Sequence, residues 1–153
     1  IAYEYPILIH KIYTLSIDNR YNFPLAIVSF KITNIVINLL RSTLIYSHIN
    51  SYKSVNKVLN EIHASLFLQF YLYWKRNLKT IEDFDAAEKK LHNLAFNQWK
   101  VSIKQLKQWC NELSGNDDTK LDENVTFGLT NTNTSSKTKE FQSRLNAYQL
   151  QSK

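Results

Sequence analysis

The feature that most limits what this chain can fold into is the stretch from Ile27 to Ile45, which is apolar over nearly the length of a bilayer span. Lys31, Asn34, Asn38 and Arg41 interrupt it at spacings of three, four and three. Such spacing draws a single polar stripe along a helix. Two charges at bilayer depth would cost several kcal/mol on insertion scales. The stretch therefore reads as a mostly buried core helix with one wet edge. Pro24 suits its first turn, where a missing N–H costs nothing, and Asn22 is placed to cap it.

The other apolar runs repeat the helical period. A helix over about residues 2–15 carries Ile7, Leu8, Lys11, Ile12 and Leu15 near helical period, with Pro6 tolerable only close to its start and 16–22 as the connection. A third runs from about Tyr52 to Asn77, its inner face set by Val55, Leu59, Ile62, Leu66, Phe70 and Trp74. The aromatics crowding its second half read as core rather than as a ligand groove. A fourth opens at Thr80-Ile81-Glu82-Asp83, with an N-cap threonine and acidic groups that offset the positive helix end, and runs to Leu113 before Ser114-Gly115. Its seam of Phe84, Ala87, Leu91 and Leu94 is offset from a second seam of Trp99, Ile103, Leu106 and Cys110, which predicts a bend or two helices. Ile35, Leu39, Ile62, Leu66, Phe70, Trp74 and Leu91 should be buried.

These elements predict an all-α fold, an antiparallel helical bundle of four to five helices over residues 1–113, followed by a disordered polar tail. Residues 114–139 offer few apolar side chains to offset the entropy of ordering and read as a flexible linker. Phe141, Leu145 and Tyr148 place a short amphipathic tail helix in 140–153. The chain starts at Ile1 and reads as a segment of a longer protein.

The formal charge of +6 is concentrated in residues 1–113, while 114–153 balance to zero. No compact run of five or more basic residues exists, so nucleic acid is not an expected partner. The single cysteine, Cys110, forms neither an intrachain disulfide nor a cysteine zinc site, and fits a reducing, cytosolic setting. Both glycines, Gly115 and Gly128, lie near or within the tail, which leaves no phosphate-cradling loop and no nucleophile elbow. His10, His48, His63 and His92 show no metal-ligand spacing, and the carboxylates Glu82, Asp83, Asp85 and Glu88 are those expected at a helix start. The chain is not expected to be an enzyme or to hold a cofactor.

Four sequence words in order carry a resemblance: Phe23-Pro24-Leu25-Ala26, Phe30-Lys31-Ile32-Thr33, the aromatic helix from Leu66-Phe67 to Trp74, and Asp83-Phe84. Together they resemble the C-terminal portion of the ELMO (engulfment and cell motility) domain, over roughly residues 2–94. The resemblance implies an all-α body and a role in small-GTPase regulation. The smaller members of the family look like GTPase-activating proteins for Arf-family GTPases, and the larger ones scaffold exchange factors for Rac. The family's Asp-Phe-Arg-Gly word, which would supply a charge-stabilising arginine, has no counterpart in this chain. Arg20, Arg41, Arg76 and Arg144 match no such motif, and none is carried over as catalytic. The expected partner is a small GTPase of the Arf or Rac family or an associated exchange-factor scaffold, met through Arg20, Lys75 and Arg76. A non-catalytic helical scaffold or protein-interaction segment is the alternative. Membrane contact, through Lys75, Arg76 and Lys79, is expected to be peripheral at most.

Overall fold

Pro6 opens the first helix, as its fixed φ and missing N–H favour. In the computed structural model, which describes residues 3–77, 79 and 81–115, α1 spans Pro6–Ile17 and buries Leu8, Ile12 and Leu15. It starts four residues later and ends two residues later than the periodicity indicated. The second helix, α2 (Leu25–Arg41), follows Pro24, which is itself the N-cap residue, and no side chain caps it. Asn22 does not serve as the cap: its N–H is held by the Asp18 carbonyl at 2.9 Å inside the preceding turn.

α2 stops at Arg41 instead of running on to Ile45. The Ser42 N–H still bonds the Asn38 carbonyl at 3.0 Å, but Thr43 then turns to φ 65. That left-handed conformation is unfavourable for a β-branched residue and breaks the helix. The chain bends by 92° into a short helix, α3 (Tyr46–Tyr52), and Lys53 ends it at φ 53. Neither turn carries the glycine that usually marks such a position, so sequence pattern alone gave no sign of α3. The outer side of α2 is also more apolar than a buried helix with one wet edge: Ile27, Ile37 and above all Phe30, 72% exposed, face outward. Lys31, placed on the wet stripe, reaches across to Glu88 of the last helix at 2.9 Å.

α4 (Val55–Arg76) is the centre of the fold. Ser54 caps it by accepting the Lys57 N–H at 3.3 Å. Ile62, Leu66, Phe70 and Trp74 are buried on the expected face, although Val55 is exposed and Leu59 only partly covered. From Ala64 to Leu72 every residue is buried, Leu68 and Leu72 included. A helix apolar on all sides needs neighbours on all sides, and α4 touches each of the other α-helices.

A 3-10 turn at Ile81–Asp83 leads into α5 (Phe84–Gly115). Thr80, the expected cap, lies outside the described residues. α5 kinks at Gln98 (φ −139, ψ 22), between the two offset seams, and lies antiparallel to α4: Trp74 meets Phe84, whereas Gln69 and Glu61 meet Gln105 and Lys107. It continues to Gly115, two residues past the expected stop. The linker and tail helix read into residues 116–153 lie outside the described residues. Among the described residues there are helices and turns and no strand, and all seven side chains named as core are buried. No single described helix is long and apolar enough to cross a membrane.

His63 ties α4 to α2, its Nε2 lying 3.0 Å from the Thr33 hydroxyl. Burial pushes its imidazole down to about 4 from 6.5. The unfolded chain therefore takes up the proton first on acidification, and the stability contributed by neutral His63 is complete above pH 6.5 and lost as pH falls to about 4. Because the ring is only partly buried, the expected loss is about 1–2 kcal/mol rather than the roughly 3 kcal/mol of the full shift. Urea titrations at about pH 7 and pH 4.5 should show this extra acid sensitivity in the native chain and not in His63→Gln. Equal pH dependence in both would assign it to other groups.

Candidate functional site

The connection between α1 and α2 is built as a fixed platform. The Asp18 Oδ1 atom accepts the Arg20 N–H at 2.8 Å, and the Asp18 carbonyl accepts the N–H groups of Tyr21 and Asn22. Short aspartate turns of this kind need no glycine. The platform is anchored on α4: Trp74 donates its indole N–H to the Tyr21 carbonyl at 2.6 Å. The Phe23 ring packs edge-on against Phe70 and Trp74, with centroids 5.0 and 5.4 Å away.

This anchoring brings Arg20 to the mouth of an open groove of about 480 Å³ between α1 and α4, lined by His10, Lys11 and Thr14 on one side and Tyr71 and Lys75 on the other. Lys75 lies over the Tyr71 ring and donates to its hydroxyl at 3.2 Å. Asp18 is the acid in the groove lining. The Arg20 N–H, and then its guanidinium at 3.5 Å, hold the Asp18 carboxyl below the usual carboxylate range. The groove thus combines three basic side chains, a histidine and one committed carboxylate. Chemically it can attract and orient an acidic surface, and it contains no nucleophile–base pair.

Two of the three sequence-derived candidates, Arg20 and Lys75, come together in this groove. Arg76 is half-buried at the end of α4 and does not line it. Lys11 and His10 were not anticipated. The available signal was Lys11 itself, a lysine on the inward seam of α1, whose head has to reach out along the groove wall.

Two of the carboxylates at the start of α5 are taken up by lysines. Glu88 accepts both bonds from Lys31, at 2.9 and 3.1 Å, and Asp83 pairs with Lys79 at 3.0 Å. The Asp83 contact, led by its hydrogen bond, raises the Lys79 ammonium above its ordinary range. Among the described residues no group of three or more His, Cys, Asp or Glu side chains is arranged to hold a metal ion. Cys110 is a half-buried thiol in no disulfide, and burial pushes it up, opposite to what a reactive thiolate requires.

Residues 1–88 match the ELMO/CED-12 family. Mouse (Mus musculus) ELMO domain-containing protein 3 is 30% identical over 108 residues, covering 71% of this chain and 28% of that protein. The human (Homo sapiens) ELMO domain-containing protein 3 is 30% identical over 104 residues, covering 68% and 27%. The chain thus spans little more than a quarter of the length of these relatives. No solved structure matches it. The family match extends over more than half of the chain, from α1 into the start of α5, and includes the Phe23-Pro24, Leu66-to-Trp74 and Asp83-Phe84 words that the packing around α4 brings together: the chain belongs to the ELMO/CED-12 family.

Proposed function

We propose that this chain is the helical docking part of a small-GTPase regulator, acting on an Arf- or Rac-family GTPase in the cytosol and contributing no GTPase-activating arginine. The observation that carries this reading is the groove lined by Lys11, Arg20 and Lys75, with Arg20 on a platform fixed to α4, in a chain of this family. A rigid basic concavity steers an acidic partner surface and sets its register. Catalysis of GTP hydrolysis requires an arginine delivered to the transferring phosphate. Arg20 is instead turned back on Asp18 and lies over the Tyr21 ring, while the Asp-Phe-Arg-Gly word is absent from this sequence.

Single-turnover GTP hydrolysis by Arf- and Rac-family GTPases, with and without the purified chain, tests the catalytic half; no acceleration is expected. Binding of the GTP-loaded proteins, measured by calorimetry, should weaken about tenfold when Lys11 and Lys75 are both replaced by Glu. An acceleration abolished by Arg20→Ala would defeat the non-catalytic assignment. Failure of the unaltered chain to bind either GTPase family would defeat the docking assignment and leave a scaffold.

A further inference from the structure

The kink of α5 and the 92° turn into α3 create a second basic face that shares no residue with the groove. Tyr52, the last residue of α3, is its centre. Lys57 of α4 and Lys107 of α5 lie over its ring, each nitrogen 5.6 Å from the centroid, and Lys107 donates to its hydroxyl at 3.2 Å. His48 packs against Tyr52 at 4.6 Å and against Trp99 at 5.0 Å, and Lys100 lies over Trp99. One turn further along α5, Lys104 shares an open cleft with Lys107 and Glu112. Of the acids nearby, Glu61 is buried and satisfied in charge by Lys107 at 3.5 Å, while Glu112 bonds Gln108.

Lys53 adds a different kind of observation. It ends α3 at φ 53, ψ 24, a left-handed conformation in which glycine is the favoured residue. Lys53 is exposed and directly follows Tyr52, which puts a further lysine at this end of α3.

We propose that this face, Lys53, Lys57, Lys100 and Lys104 around the Tyr52–Lys107 pair, contacts the anionic headgroups of a lipid bilayer. The basic groups are all lysines, which are compact, strongly hydrated point charges, and not the planar arginine forks that read a single phosphate or carboxylate. They are spread over three helices around a shallow cleft. A bilayer presents delocalised negative charge and needs no pocket. Val55 and Val101, both about half exposed between these lysines in sequence, offer small apolar contacts at headgroup depth. An acidic protein segment is the competing occupant, and it would favour an enclosed groove with directional partners.

Co-sedimentation of the full 153-residue chain with vesicles of phosphatidylcholine containing about a quarter phosphatidylserine, against phosphatidylcholine alone, tests this. Binding is expected to the first only and to fall with added salt. Lys57→Gln and Lys104→Gln should each weaken it about fivefold, equivalent to about 1 kcal/mol per lysine. Lys53→Gly should weaken it similarly while leaving the thermal midpoint equal or higher, because glycine relieves the backbone. That variant separates lost binding from lost folding. Lys107 is left intact because it neutralises buried Glu61. No partition onto the anionic vesicles, equal partition onto both, or sensitivity to Lys11 and Lys75 instead would overturn the proposal. Tighter capture by a poly-glutamate peptide than by the vesicles would overturn it in favour of an acidic protein.

Discussion

Replacing Trp74 by Ala should destabilise the fold by about 3–5 kcal/mol, the usual range for a fully buried large aromatic. Trp74 is completely buried, stacks on Phe70 at 5.0 Å and meets Phe23 and Phe84 edge-on. Truncation leaves a cavity between the end of α4 and the start of α5. It also orphans the Tyr21 carbonyl, which accepts the indole N–H at 2.6 Å and holds the Arg20 platform. Trp74→Phe separates the two contributions: it keeps most of the volume and loses the hydrogen bond, at about 1–3 kcal/mol. Denaturant titrations with unchanged m-values give both numbers. A loss below about 1 kcal/mol for Trp74→Ala would mean that α4 does not hold this end of the core.

Lys107→Ala should cost about 1–3 kcal/mol, a large effect for a side chain half exposed to water. The reason is its partner. Glu61 is buried, its second carboxylate oxygen has no hydrogen-bond partner, and the Lys107 ammonium 3.5 Å from the first is what offsets its desolvation. Removing one member of a fully buried pair typically costs about 3–5 kcal/mol, and solvent around Lys107 reduces that here. The same carboxylate acts on Tyr5, whose hydroxyl is pushed up to about 12 by burial and then by Glu61. The double replacement Glu61→Gln, Lys107→Ala should recover most of the loss, because no buried charge remains. A double-mutant cycle measures this. Costs for the two single changes that simply add would show that Glu61 and Lys107 do not sense each other.

The all-α class and the seven named core residues were legible in the sequence because both rest on local periodicity, and the family resemblance because its words are contiguous in the chain. Leu66 and Phe70 repeat at helical spacing whatever packs on them, and the offset of the Trp99 seam from the Leu91 seam already contained the kink at Gln98. The start of α1 was placed four residues too early, because apolar spacing alone does not register that Pro6 opens the helix.

Other features were not local. α3 is set off by Thr43 and Lys53, which take left-handed conformations without glycine on either side of it, and composition does not announce this. Arg20 and Lys75, 55 positions apart, became neighbours only once Trp74 fixed the α1–α2 connection, and the same step drew Lys11 and His10 beside them and left Arg76 out. The sequence by itself determined the four longer helical segments and the seven core side chains, since both follow from spacing along one chain. Which charges face each other, Lys107 with Glu61, Lys31 with Glu88 and the lysines around Tyr52, was decided by helix packing alone, because electrostatic neighbours are set by distance in space.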